Sequence, residues 1–298
     1  MATPLDVYVL SLVPALLWGF EPVVSKRGMG GGGSALQASL VVVVVDSTIY
    51  WLALLGLRGT DPLAALSPGA IGVFLFAGVV GTAVGRLATF EGVHRVGASV
   101  NSAGISARPL FATALAFAWL GEPVSVATAV GIVVLVTGLA VLALAKGGDV
   151  GGWRPRDLFF PLAAAATFAV GNVVRRFGLD VTPATPLQAV ALNETAALVA
   201  LAAYAVARGR RDVLDAPRRT YGQFAVSGLL TAVALLSLFA ALSLPEGRIA
   251  VVDPLTGTAP LFTTGFAYFL LKDLERVTRG VVAGATLVVV GAGIITAL

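Results

Sequence analysis

A few ionisable and amide side chains stand inside long apolar runs of this chain, and any chemistry has to be sought among them. Glu21 follows Trp18 by one helical turn and precedes Pro22, Arg108 precedes Pro109, and Asp253 precedes Pro254; Asn101 and Asn172 stand in equally apolar surroundings. A charge in such a run is costly unless it is paired or faces water, so its first reading is functional. A carboxylate at Glu21 can meet a substrate amine or carry a coupling proton. Pro22 withholds a backbone donor, so a helix is expected to open there and turn carbonyls toward a cavity. The bland alternative is a helix-end glutamate paired with Lys26 or Arg27. The Arg108 guanidinium suits a carboxylate or phosphate, which it can hold bidentately, and the alternative is an internal ion pair with Asp253. Asn101 precedes Arg108 by seven residues, two helical turns, which puts both on one face. Trp18, Glu21, Asn101, Arg108, Asn172 and Asp253 form the candidate substrate-binding set.

Other polar residues read more naturally as structure. Asp46 and Glu194 lie near the middles of two apolar runs and can relay protons, or simply bond to neighbouring hydroxyls. Arg86 with Glu91, and Arg175 with Arg176, fall near span ends, where long side chains snorkel to the interface; the alternative is that either set gates the cavity. Gly81 and Gly85 have the small-residue spacing that lets helices approach closely. His94, the lone histidine, sits at a loop with no metal-ligand partners at usable spacing, and the chain has no cysteine, which excludes disulfides and thiol chemistry. No HExxH, GxGD or phosphate-binding glycine loop supports an intramembrane enzyme. No cofactor is called for.

The elements that must position these residues are membrane helices. Of 298 residues 57% are hydrophobic and 12% charged, about half the charge of a soluble domain. The apolar runs are continuous and about 20 residues long, which means helices and not the alternating strands of a barrel. The net charge of +4 resides in inter-helix loops and points to anionic lipid, not nucleic acid. Ten spans are expected, at 7–25, 35–57, 69–90, 97–120, 124–145, 158–176, 185–207, 221–244, 249–271 and 279–298. The N-terminus lacks a basic region, so the first is read as a retained helix. The polar stretch 148–157 reads as a flexible joint between residues 1–147 and 158–298.

Those halves repeat one another. Trp18, Val23, Val24 and Gly28 correspond to Phe168, Val173, Val174 and Gly178 at a constant offset; Leu36-Gln37-Ala38 corresponds to Leu187-Gln188-Ala189, and Pro109-Leu110-Phe111 to Pro260-Leu261-Phe262. With five helices in each half, the second must enter the membrane in the opposite sense. An inverted repeat places a site at the repeat interface near mid-depth, which is alternating-access architecture. The fold class expected is an all-α integral membrane protein of ten transmembrane helices in two inverted five-helix repeats. Because one chain supplies both halves, a monomer suffices. A passive channel or lipid-handling protein is the rival class.

The pattern resembles the EamA family of the drug/metabolite transporter superfamily over essentially the whole chain. Leu16-Leu17-Trp18-Gly19-Phe20, Pro109-Leu110-Phe111 and Leu120-Gly121-Glu122, the last recurring as Leu271-Lys272-Asp273, carry the match. The resemblance implies a secondary transporter in the cell membrane that moves small organic solutes, often amino acids or related metabolites, usually outward. It implies a cavity lined by helices one, three, four, six, eight and nine, and both termini in the cytoplasm. Lys and Arg cluster in the loops after odd-numbered helices, and on the positive-inside rule this puts the termini outside. The two criteria disagree.

Overall fold

The computed structural model describes residues 5–59, 61–115, 125–145, 147–210, 213 and 215–297. The motif Leu120-Gly121-Glu122 lies outside the described residues. The helices are α1 (Leu5–Gly30), α2 (Ala35–Arg58), α3 (Pro68–Ala77) leading through a π-helical stretch (Gly78–Val84) into α4 (Gly85–Val96), α5 (Ala98–Ile105), α6 (Arg108–Leu115), α7 (Val126–Leu144), α8 (Phe159–Val181), α9 (Pro186–Ala207), α10 (Arg218–Ser243), α11 (Ile249–Thr256), α12 (Ala259–Leu270) and α13 (Arg279–Ala297). Among the described residues, seven stretches are helical, long and apolar enough to cross a membrane, and Arg279–Ile295 is a shorter apolar helix.

The spans expected at 97–120 and 249–271 are each a broken pair, α5/α6 and α11/α12. The physical reason lies in the prolines. A proline ring collides with the carbonyl four residues earlier. For Pro109 that carbonyl belongs to Ile105, the last residue of α5; for Pro260 it belongs to Thr256, the last residue of α11. Pro254, by contrast, lies within α11. The opening expected at Pro22 does not occur either, since α1 runs unbroken past both Pro14 and Pro22. Close packing holds α1 on either side of Pro22: a Cβ on Gly19 would lie 2.5 Å from Phe262 Cβ, and one on Gly28 2.5 Å from the Phe224 ring.

The sequence repeat has visible physical content. Gly28 receives the ring of Phe224, and its counterpart Gly178 receives the ring of Phe74, where a Cβ would stand 2.8 Å away. Each half thus lends a phenylalanine to a glycine of the other. Ser34 and Gln37 form a reciprocal capping box at the start of α2, and Thr185 with Gln188 does the same for α9. The close approach of α7 and α13 rests on glycines. A Cβ on Gly131 would meet the Gly291 carbonyl at 3.0 Å, and one on Gly138 the Gly284 carbonyl at 2.9 Å. Numbering rises along one helix as it falls along the other, so the pair is antiparallel. Gly81 packs on Gly171 and Gly85 on Phe168, as their spacing anticipates.

The stretch 148–157 is not a loose joint. Gly148–Asp149 pairs antiparallel with Glu275–Arg276, forming strands β1 and β2 between the linker and the α12–α13 hairpin. Lys26 reaches the Asp149 carboxylate and donates to the carbonyls of Val93 and His94. Glu275 accepts the backbone N–H groups of Ala98 and Ser99 at 2.9 Å each, capping the start of α5. Burial nevertheless pushes the Glu275 carboxyl up from its ordinary value. Asp149, Trp153 and Asp157 of this polar linker are hydrogen-bonded while Arg154 and Arg156 are exposed, and through the β1–β2 pair it forms a strap across one end of the bundle.

A candidate substrate cavity

Both proline breaks face an internal cavity of about 120 Å³. Its lining comes from α1 (Trp18, Glu21, Pro22), the π-helical stretch and α4 (Thr82, Arg86, Thr89, Phe90), α5 and the residues up to Arg108 (Asn101, Ser102, Ile105, Ser106, Arg108), α8 (Phe168, Asn172, Arg175), α10 (Thr231, Leu235, Leu238), and Thr256 and Ala259 at the second break. Two stretches of relaxed helix geometry frame this lining. The π-helical stretch carries Thr82, in keeping with the habit of π-bulges to sit at functional sites. At the first break, Ser106 donates to the carbonyl of Gly257 at 2.9 Å, so one interruption is tied directly to the other.

Five of the six candidate residues line the cavity: Trp18, Glu21, Asn101, Arg108 and Asn172. Asp253 stands behind them. Glu21 pairs with neither Lys26 nor Arg27; it accepts from the Ser25 hydroxyl at 2.5 Å, and Ser25 meets Ser227 on α10 at 2.8 Å. Arg108 gives Nη2 to the Thr256 hydroxyl at 2.9 Å, and its Nη1 stands 3.9 Å from Asp253, the expected ion pair in stretched form. Asn172 is spent within the protein, donating to Asp253 at 2.9 Å and accepting from Arg175 at 2.8 Å. Asn101 is fully buried, and neither of its amide atoms has a partner among the described residues.

Two arginines read from sequence as snorkelling at span ends are instead buried at the cavity. Arg86 does not pair with Glu91, which bonds Arg95 at 2.6 Å on the exposed face. Its Nη1 lies between Asp46 at 2.9 Å and Glu194 at 3.0 Å, both carboxylates being wholly buried. The carboxylates from α2 and α9 therefore share one guanidinium, not separate hydroxyls. Arg175 is 2% exposed and makes three hydrogen bonds, to Asn193, Asn172 and Thr82, at 3.1, 2.8 and 2.7 Å. Arg176 reaches the carbonyls of Leu242 and Leu244 at a helix end and Asp180 at 2.8 Å. A signal was present in the spacing: Thr82 and Arg86 are one turn apart, as are Asn172 and Arg175, which places each pair on one helical face.

These contacts join into one buried network. From Asp46 it runs through Arg86 to Glu194, through Asn193 to Arg175, and through Asn172 to Asp253 and Arg108. It crosses between the halves of the chain at Arg86 and again at Arg108. Leaving any member unpaired in so buried a place is expensive.

A multi-helix membrane protein whose two halves repeat one another, with a polar cavity where both halves break their helices, has the form of a solute carrier. The model of the EamA-like transporter family matches residues 6–144 and again 156–297, and the chain belongs to that family. It is a membrane transporter of small solutes. A solved structure, described only as a crystal structure of a protein, is similar over 98% of this chain and 96% of its own, with a TM-score of 0.64 and 15% identity. At that identity the likeness is one of fold. No curated protein matches the chain.

Proposed function

We propose that this protein is a secondary transporter of small organic metabolites, amino acids or related solutes, exported across the cell membrane by alternating access. The observation that carries this reading is the placement of the cavity. It is lined from both halves of the chain at the two paired helix breaks, Ser106–Ala107 and Gly257–Thr258. The two matched repeats, residues 6–144 and 156–297, enter the membrane in opposite senses and rock about that cavity in ten spans, α5/α6 and α11/α12 each counting as one interrupted span. The antiparallel meeting of α7 with its counterpart α13 supports the inversion. The strap of Lys26, Asp149 and the β1–β2 pair closes one end, and its release is the opposite half of the cycle. Glu21 carries the coupling proton or meets an amine, Arg108 holds an anionic group, and Asn101 orients the solute. A single chain supplies the whole site, so the unit is a monomer.

The test is counterflow in proteoliposomes loaded with a panel of amino acids and small metabolites, with and without a pH gradient. Saturable accumulation of one solute class is expected, and Glu21→Gln or Arg108→Ala should reduce it at least tenfold. Flux that never saturates would make the protein a channel, and undiminished transport by both variants would move the site elsewhere.

A further inference from the structure

Two buried oxygens beside Arg86 lack a donor. Asp46 Oδ2 accepts from Arg86 Nη1 at 2.9 Å, and Glu194 Oε1 accepts from the Asn193 amide at 2.9 Å. The second oxygen of each carboxyl, Asp46 Oδ1 and Glu194 Oε2, has no hydrogen-bond partner among the described residues. Glu194 Oε2 stands 3.0 Å from the same Nη1 without accepting from it, so both carboxyls crowd one nitrogen. They also stand within hydrogen-bonding reach of each other. Two acceptors cannot satisfy one another, and a buried acceptor without a donor is costly. One hydrogen between the carboxyls would serve both.

Charge points to the same place. Four buried carboxyls, Glu21, Asp46, Glu194 and Asp253, stand among three buried guanidiniums, Arg86, Arg108 and Arg175. With every group ionised the cluster is one positive charge short. Asp253 has Arg108 at 3.9 Å and an N–H of Asn172, and Glu21 has the Ser25 hydroxyl and lines the cavity. Asp46 and Glu194 share a single guanidinium. Arg175, the nearest cation on α8, spends its three hydrogen bonds on Asn193, Asn172 and Thr82. Of the other helices around the pair, α3 has no charged residue, and α10 is charged only at Arg218 and Arg219 in its first turn. Tyr50, one turn beyond Asp46, donates to the Ala232 carbonyl and not to either carboxyl. Two like charges this close, with one counter-charge and no water, do not both persist. A metal ion would press against Arg86, whereas a proton needs no cavity volume.

We propose that Asp46 and Glu194 jointly bind one proton, as the O–H of one carboxyl donated to the free oxygen of the other, and that this proton is the one exchanged in transport. The inference rests on the transporter reading above; it moves the coupling proton from Glu21 to this pair and leaves Glu21 to meet an amine. The pair is placed where coupling requires. Asp46 on α2 and Arg86 on α4 belong to the first half of the chain, and Glu194 on α9 belongs to the second. Halves that rock against each other draw the two carboxyls apart, and separated carboxyls no longer share a proton. The two states then differ in proton affinity, and by linkage the proton biases the equilibrium between them. Arg86 also lines the cavity, so one guanidinium separates the pair from it.

Infrared spectroscopy of the purified protein at neutral pH reads this proton directly, because a protonated carboxyl has a C=O stretching band apart from that of a carboxylate. One such band should vanish in Asp46→Asn and in Glu194→Gln and survive in Glu21→Gln. Its survival in the first two, or its loss in Glu21→Gln alone, would overturn the proposal. Each single variant puts an amide donor where the proton was, so it should melt no lower than the parent. The double variant Asp46→Asn, Glu194→Gln strips Arg86 of its counter-charge and should melt well below either. A single variant that fails to fold, or melts as low as the double, counts against a shared proton and for two ionised carboxylates. Unfolding releases the proton, so the parent should lose stability relative to either single variant as pH rises from the ordinary carboxylate range to the pH at which the pair lets go. The difference is about tenfold in the unfolding constant per pH unit. In proteoliposomes, a pH gradient should drive accumulation of a labelled amino acid from the panel at least tenfold less in either single variant than in the parent. Equal responses, or a sodium gradient that replaces the pH gradient, would overturn the proposal. The expected bands without counterflow of any solute uphold the proton site and sink the transporter reading, and counterflow without such a band does the reverse.

Discussion

At the scale of single residues, the costliest group to disturb is Arg86. It is the guanidinium that hydrogen-bonds Asp46 and ion-pairs with Glu194, both wholly buried on α2 and α9. Removing one partner of a buried ion pair costs about 3–5 kcal/mol, because the charge left behind has neither water nor counter-ion. Arg86→Met is therefore expected to lower the melting temperature of the purified protein sharply. The triple variant Arg86→Met, Asp46→Asn, Glu194→Gln should recover much of the loss; a single variant as stable as the parent would show that the triad does not bear this load. Gly92 is a second residue-scale constraint. A methyl group there would stand 1.9 Å from the Asn101 oxygen, so Gly92→Ala must push Asn101 aside. Overpacking of this kind costs about 1–3 kcal/mol. Transport by Gly92→Ala should show a raised KM, and an unchanged KM would mean that Asn101 does not touch the solute.

At the scale of elements, the two broken spans and the glycine seam between α7 and α13 follow different rules. Breaks at Ser106–Ala107 and Gly257–Thr258 come from covalent geometry, each proline ending the helix four residues upstream. The seam comes from space. A Cβ on Gly291 would lie 2.4 Å from the Leu135 backbone nitrogen, a partner that cannot rotate away, whereas one on Gly293 would meet nothing within 4 Å. Gly291→Ala is expected to lose about 1–3 kcal/mol. Gly293→Ala, two residues further along the same helix, should gain roughly 0.5–1 kcal/mol from helix propensity. Melting curves of the two variants in one detergent check the contrast, and equal shifts would mean that the helices are not in backbone contact.

For the whole molecule, the open question is its sense in the membrane. Lys26, Arg27 and Arg95 belong to the end where β1 and β2 meet, and Arg276 lies in β2 itself. Lysine and arginine in short loops are retained on the cytoplasmic side. The strapped end should therefore face the cytoplasm and the N-terminus the outside. The chain has no cysteine of its own, so Thr3→Cys provides a single reporter. It is expected to react with an impermeant thiol reagent in intact cells; protection until the cells are lysed would reverse the orientation.

Much of this was legible in the residues alone. Continuous apolar runs about 20 residues long admit only membrane helices, and correspondences such as Gly28 with Gly178 expose a duplicated unit because the same packing problem is solved twice. Proline positions set where the spans expected at 97–120 and 249–271 break, and isolated charges in apolar runs mark groups that the fold must either pair or place at a cavity. Tertiary structure decided the rest, since it depends on what other helices bring. Pro22 looked like a break, but α1 continues through it, closely packed at Gly19 and Gly28. Arg86 and Arg175 looked like interface residues because their partners, Asp46, Glu194 and Asn193, lie far away in sequence. The linker looked flexible because its composition is polar, yet Lys26 and the α12–α13 hairpin hold its Gly148–Asp149 end. Hydrophobicity and backbone geometry are local and are written along the chain. Charge pairing and close packing are relations between distant residues, and only the folded arrangement fixes them.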